Sequence, residues 1–145
     1  MGQGSTARLP AGAARILSDY RRLAVLIART RVGLGAALLV TPGPLTRVTF
    51  GTTGGEARGA MRLVGGRDLA LGLGALTTVK ERTQDAEWVS MGALVDGLDA
   101  LVLLGTRRLP VRARLVGVLA AVAAVTGLWV SQRLADDRTA SEPLP

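Results

Sequence analysis

The sequence predicts an all-α fold, an antiparallel bundle of four transmembrane helices, and three observations predict it. Apolar residues gather into four long runs, the charges are bunched between those runs, and the breaks are short and rich in Pro, Gly and Arg. Hydrophobic residues make up 48% of the 145 and charged residues only 20%, where a soluble domain carries about 25% charge. The length suits one domain.

Residues 1–22 read as a polar, basic N-terminal segment carrying Arg8, Arg15, Arg21 and Arg22. No apolar stretch follows a short basic start, so a cleavable signal peptide is not expected. The transmembrane domain covers 23–134. Its first helix runs about 23–40 and is stopped by Thr41-Pro42-Gly43-Pro44, because proline removes a donor and disfavours helix in the residue before it. A Gly-rich connection, Thr52 to Arg58, leads to the second helix at about 61–79, which Lys80-Glu81-Arg82 closes. The third helix is expected at about 88–105 and the fourth at about 115–132, with the arginine-rich turn from Arg107 to Arg114 between them.

The fourth run carries no charge between Arg114 and Arg133. At about 1.5 Å per residue it is ~27 Å long, close to the thickness of a bilayer's hydrocarbon core. A soluble amphipathic helix needs a polar face recurring every few residues, and VGVLAAVAAVTGLWV has none. Short connections make successive helices antiparallel neighbours. The tail, 135–145, is acidic and contains Ser and Pro, and is expected to be disordered.

Tyr20, Phe50, Trp88 and Trp129 all fall near the ends of the runs, where amphipathic rings settle at headgroup level. The net charge of +7 also has a lipid explanation. The arginines flank apolar runs instead of forming one basic face, which fits anionic headgroups and excludes nucleic acid as the expected partner. Lys80 is the only lysine, and with abundant Ala and Gly this reads as the coding bias of a GC-rich genome. Lys and Arg divide almost evenly between the two ends of the bundle, so orientation rests on the first helix, which places both termini in the cytoplasm.

The chain has no cysteine and no histidine. That removes disulfides, thiol chemistry, Cys/His zinc sites and any histidine base, and leaves a membrane enzyme only the carboxylate chemistry of Asp96 and Asp99; no catalytic residue, cofactor or metal is expected. Gly51 to Gly59 is glycine-rich, but no GK[ST] follows it, and it reads as a connector.

Charges inside the apolar runs are the candidate site: Arg29 and Arg31 in the first, Arg67 and Asp68 in the second, Asp96 and Asp99 in the third. A charge at the centre of a bilayer costs about 2.5–3.5 kcal/mol even on lenient scales, so such groups should face the interior and pair. Asp96 and Asp99 are three apart and share a helix face with Gly92. In antiparallel helices Arg67 falls level with Asp99, and Arg31 falls level with Asp96. The expected contacts are therefore Arg67–Asp99 and Arg31–Asp96, with Asp68 nearby and Arg29 snorkelling to the surface. Two readings follow. The charges lock the order and register of three helices, or Asp96 and Asp99 titrate or bind a cation in a transport path. Balanced charge favours the lock, because a carboxylate held against arginine titrates poorly near neutral pH.

Small residues should let these helices approach closely. Gly65 and the Gly66, Ala70, Gly74 repeat lie on the second helix, and Gly92, Ala93 and Gly97 on the third. Generic helix packing is the first reading of this pattern, with self-association or a membrane-protein partner as the second.

The run VGGRDLALGLGAL from Val64, followed by GALVDGLDAL from Gly92, resembles a domain-of-unknown-function family of small four-helix bacterial integral membrane proteins. The matching residues are Gly65, Arg67, Asp68, Asp96 and Asp99, within roughly Leu23 to Leu134. The architecture is more distantly similar to proteins of the DoxX type, without a quinone or haem signature. The resemblance implies a multi-pass protein of the bacterial inner membrane; the family has no assigned activity, so the resemblance adds no mechanism. The expected function is a non-enzymatic accessory or assembly component. The alternative is a small proton- or cation-coupled transporter or channel subunit using Asp96 and Asp99. Small multidrug exporters also have four helices, but their first-helix glutamate and central aromatics are missing here.

Overall fold

Runs of Ala, Leu and Arg, all good helix formers, fill Ala11–Val40, and Pro42 decides where that helix stops. In the computed structural model, which describes residues 11–81 and 84–141 and side chains from Asp19 to Ala140 within those ranges, this is helix α1. It is followed by α2 (Pro42–Phe50), α3 (Gly55–Glu81), α4 (Asp85–Gly105) and α5 (Val111–Ser141). No strand occurs among the described residues.

The architecture departs from the expected four helices in several ways. The proline pair that ends α1 opens a new helix, because proline is pre-set for the first helical turn. Pro42, Thr46 and Thr49 turn inward, and the Thr46 hydroxyl donates to the Pro42 carbonyl at 2.7 Å. Gly51 ends α2 in the left-handed region at φ 73°, its N–H donating to the Arg47 carbonyl. Helix also replaces the last four residues of the expected Gly-rich connection, since α3 begins at Gly55.

The termini are more ordered than composition suggests. Residues 11–22 belong to α1, while residues 1–10 of the polar N-terminal segment lie outside the described residues. The tail expected to be disordered from Ala135 continues α5 through Ser141, and only residues 142–145 lie outside the described residues. Leu134 is 1% exposed in the core, and Arg138 is held by Asp85 and Glu87, so the last turns are anchored by burial and by charge.

Three helices are long and apolar enough to cross a membrane: Asp19–Val40 of α1, Asp85–Gly105, and Val111–Ala140 of α5. Helix α3 has the length but not the apolarity, since Arg67 and Asp68 sit near its middle with Arg62 before them and Lys80 after.

The helices form two close antiparallel pairs, α1 with α3 and α4 with α5. Glycines set the first seam. A Cβ on Gly35 would stand 2.7 Å from the Gly65 carbonyl oxygen, and one on Gly72 would stand 2.9 Å from that of Ala28. In the second pair a Cβ on Gly117 would meet Leu103, and one on Gly127 would meet Ala93, both at 2.9 Å. Apolar contact between the pairs gathers at one end, where Ala24, Val79, Ala86, Val89, Val130 and Leu134 form the buried cluster. Tyr20 and Trp129 meet edge to face there at 4.9 Å, and the Arg133 guanidinium lies 5.8 Å from both rings.

Candidate functional site

Halfway along the bundle the two pairs are joined by charge. Arg31 projects from α1 between α3 and α4. Its Nη1 donates to Asp68 Oδ1 at 3.2 Å, and its Nη2 donates to the Gly92 carbonyl at 2.8 Å and to Asp96 Oδ2. Gly92 allows this approach, because a Cβ there would stand 3.1 Å from the guanidinium. Arg67 on α3 reaches across to α4 and grips Asp99 with both ends of its fork, at 3.0 and 2.6 Å. That bidentate geometry is the strong form of the pair. Asp68 Oδ1 also accepts from Arg67 Nη2 at 3.3 Å, so this one carboxylate links the two arginines.

The structure thus brings Arg31, Arg67, Asp68, Asp96 and Asp99 into one network spanning α1, α3 and α4. Arg29 stands apart. It lies two residues from Arg31, about 200° around a helix, so its side chain leaves on the opposite face and is exposed. Without it the cluster holds two guanidiniums against three carboxylates, and the even balance expected from the sequence becomes an excess of one carboxylate.

Burial is uneven across the network. The Asp68, Arg31 and Asp96 side chains are 8, 12 and 15% exposed, whereas Arg67 and Asp99 are each 32% exposed. Arg31 therefore sits at the sealed centre, and the Arg67–Asp99 pair forms its open edge. Among the described residues no group of three or more acidic side chains is placed to hold a metal ion.

The candidate packing glycines divide. Gly65 lies in the α1–α3 seam, Gly74 lies directly beneath the Trp88 ring and Gly92 faces Arg31. Gly66 and Gly97 have only ordinary contacts, with Leu39 and with Ala124. The closest backbone approaches between α1 and α3 run instead through Gly35, Gly65 and Gly72, so the Gly66, Ala70, Gly74 repeat does not describe that seam. Gly65 and Gly72 are seven apart, two turns of helix, and that spacing was the signal available for finding them.

A second cluster escaped the reading of the sequence. Asp85, the first residue of α4, is 2% exposed at the side chain and accepts from Arg21 of α1 at 3.1 Å and from Arg138 of α5 at 2.8 Å. Arg138 also reaches Glu87 at 3.1 Å. Asp85 and Arg138 read from sequence as turn and tail. Only the extra helical turns of α1 and α5 bring them together.

Compared with protein-family models, curated proteins and solved structures, the chain matches none.

Proposed function

We propose that this chain is a multi-pass protein of the bacterial inner membrane, crossed by α1, α3, α4 and α5, and that it acts as a non-enzymatic accessory or assembly component. The resemblance of its Arg67-Asp68 and Asp96/Asp99 motifs supports the multi-pass membrane part of this reading. One observation carries the reading. Each of the five charged side chains at mid-length is bonded to another helix, and together they join the α1–α3 pair to α4. Lipid gives helices no hydrophobic reason to associate, so packing and polar contacts must select the partner. The network serves as a register lock, and α3 is tolerated in lipid because its mid-helix charges, Arg67 and Asp68, are met inside the bundle.

A second reading has its own support. The third carboxylate has no guanidinium of its own, and the Arg67–Asp99 edge is a third exposed. A proton or small cation would supply the missing positive charge, and the protein would then be a proton- or cation-coupled transporter or channel subunit working through Asp96 and Asp99.

Asp96→Asn and Asp99→Asn separate the two. The lock reading expects less protein in the membrane fraction and a melting temperature in detergent lower by several degrees, since a buried group left unsatisfied costs about 1–3 kcal/mol or more. Normal abundance and melting, with loss of proton-driven flux in proteoliposomes, would overturn it in favour of transport. Recovery of the wild-type chain in the aqueous fraction after high-speed centrifugation without detergent would sink both.

A further inference from the structure

Away from the network, at the end that carries Tyr20 and Trp129, α1 and α3 leave a groove of about 560 Å³ between them. Its floor is apolar, formed by Val25, Leu26 and Val79, and its rim holds Arg21, Arg22, Arg29 and Lys80. Four cations meet there without one acidic side chain in the lining. Arg21 is bound to Asp85, whereas Arg22, Arg29 and Lys80 have no carboxylate partner among the described residues.

Helix geometry explains how they converge. Arg22, Leu26 and Arg29 are spaced four and three apart, so they line one stripe of α1. Lys80, in the last turn of α3, lies beside the outer part of that stripe. Arg29 lies seven residues further in than Arg22, about 10 Å deeper, and it belongs to the part of α1 apolar enough to cross a membrane. The arginines deeper in the bundle, Arg31 and Arg67, each hold carboxylates. Arg29 alone is left facing outward, although the network one helix face away has a carboxylate to spare.

From this we infer that the α1–α3 groove binds an anionic glycerophospholipid, its phosphate held among Arg22, Arg29 and Lys80 and an acyl chain laid along Leu26 and Val25. The inference rests on the membrane reading. A soluble anion would satisfy the cations but leave Leu26, 60% exposed, uncovered. A zwitterionic lipid would bring a positive group into a rim already crowded with them. A phospholipid with net negative charge satisfies both parts of the site, and basic pockets between membrane helices recognise such headgroups. Arg29 is long enough to reach the phosphate from below while its stem stays in the apolar layer.

The full chain, purified in a non-ionic detergent and mixed with micelles containing phosphatidylglycerol or phosphatidylcholine, provides the test. Native mass spectrometry is expected to find phosphatidylglycerol retained and phosphatidylcholine lost, with a higher melting temperature in the first case only. The triple variant Arg22→Gln/Arg29→Gln/Lys80→Gln should lower retention by roughly a hundred-fold, since each cation near a lipid surface contributes about a factor of five. Arg107→Gln/Arg108→Gln/Arg112→Gln, at the other end of the bundle, should leave it unchanged. Equal retention of both lipids would overturn the inference, as would equal loss in the two triple variants. Protection by inorganic phosphate as strong as by the lipid would also overturn it. If the glutamine triple loses its melting transition, Arg22→Lys/Arg29→Lys decides: the charge is kept, so lipid must be kept, and its loss refutes the site. A wild-type chain that pellets with membranes yet retains no phosphatidylglycerol refutes this inference alone, whereas one that stays in the aqueous fraction refutes the membrane reading.

Discussion

Arg31→Met is expected to lower stability by about 3–5 kcal/mol, the loss seen when one partner of a buried ion pair is removed. Methionine nearly fills the space but leaves Asp68 and Asp96, 8 and 15% exposed at the side chain, without the guanidinium that holds them. It also removes the donor to the Gly92 carbonyl. The size of the effect separates two causes. A hydrogen bond between membrane helices contributes about 0.6 kcal/mol on average and at most about 1.7, so a larger loss identifies uncompensated charge. Thermal melting in detergent, followed by circular dichroism, measures it. The triple variant Arg31→Met/Asp68→Asn/Asp96→Asn should recover most of the loss, because neutral groups in the same places carry no unpaired charge. A single variant that melts with the wild type would show that Arg31 does not hold the pairs together.

Gly35→Val should be the other severe substitution. The added Cβ alone would stand 2.5 Å from the Leu69 nitrogen and 2.7 Å from the Gly65 carbonyl oxygen, and both belong to backbone that no rotamer change can move. Overfilling a well-packed interior costs about 1–3 kcal/mol and occasionally more. Here the upper end is expected, because α1 and α3 must separate along their length. Gly33→Ala is the control. Nothing lies within 4 Å of its Cβ, and Gly33 is exposed. Alanine there should be neutral or stabilise by up to about 1 kcal/mol through helix propensity. Melting of the two variants side by side, with the fraction recovered as monodisperse protein, distinguishes seam from surface. Equal behaviour would mean that the close approach does not matter.

The long helices and the charge network were legible for one shared reason: lipid-length apolar runs leave few polar residues, and a charge that faces inward from them must find a partner at its own depth. Counting along antiparallel helices pairs Arg67 with Asp99 and Arg31 with Asp96, and both ion pairs are present in the structure. Arg29 shows where counting stops. Depth alone cannot say which way a side chain leaves the helix, and two residues of separation reverse it. The seam glycines were obscured by abundance, since nineteen glycines generate many four-residue repeats and only helix rotation selects Gly35, Gly65 and Gly72. Helix α2 and the outer turns of α5 were hidden because proline and acidic residues read as breakers, while burial of Thr46 and the Arg138–Asp85 contact override local preference.

The place of Arg31 in chain order gives its contacts a sequence in time. Its first carboxylate, Asp68, is made thirty-seven residues later and Asp96 sixty-five residues later. Translation therefore produces the cation before either counter-charge, and a nascent chain that ends short of α4 holds Arg31 and Arg67 with only Asp68 between them. Completion of α4 supplies the last two carboxylates, which makes the third of the four long helices to be synthesised the one that completes the charge network, before α5 is made.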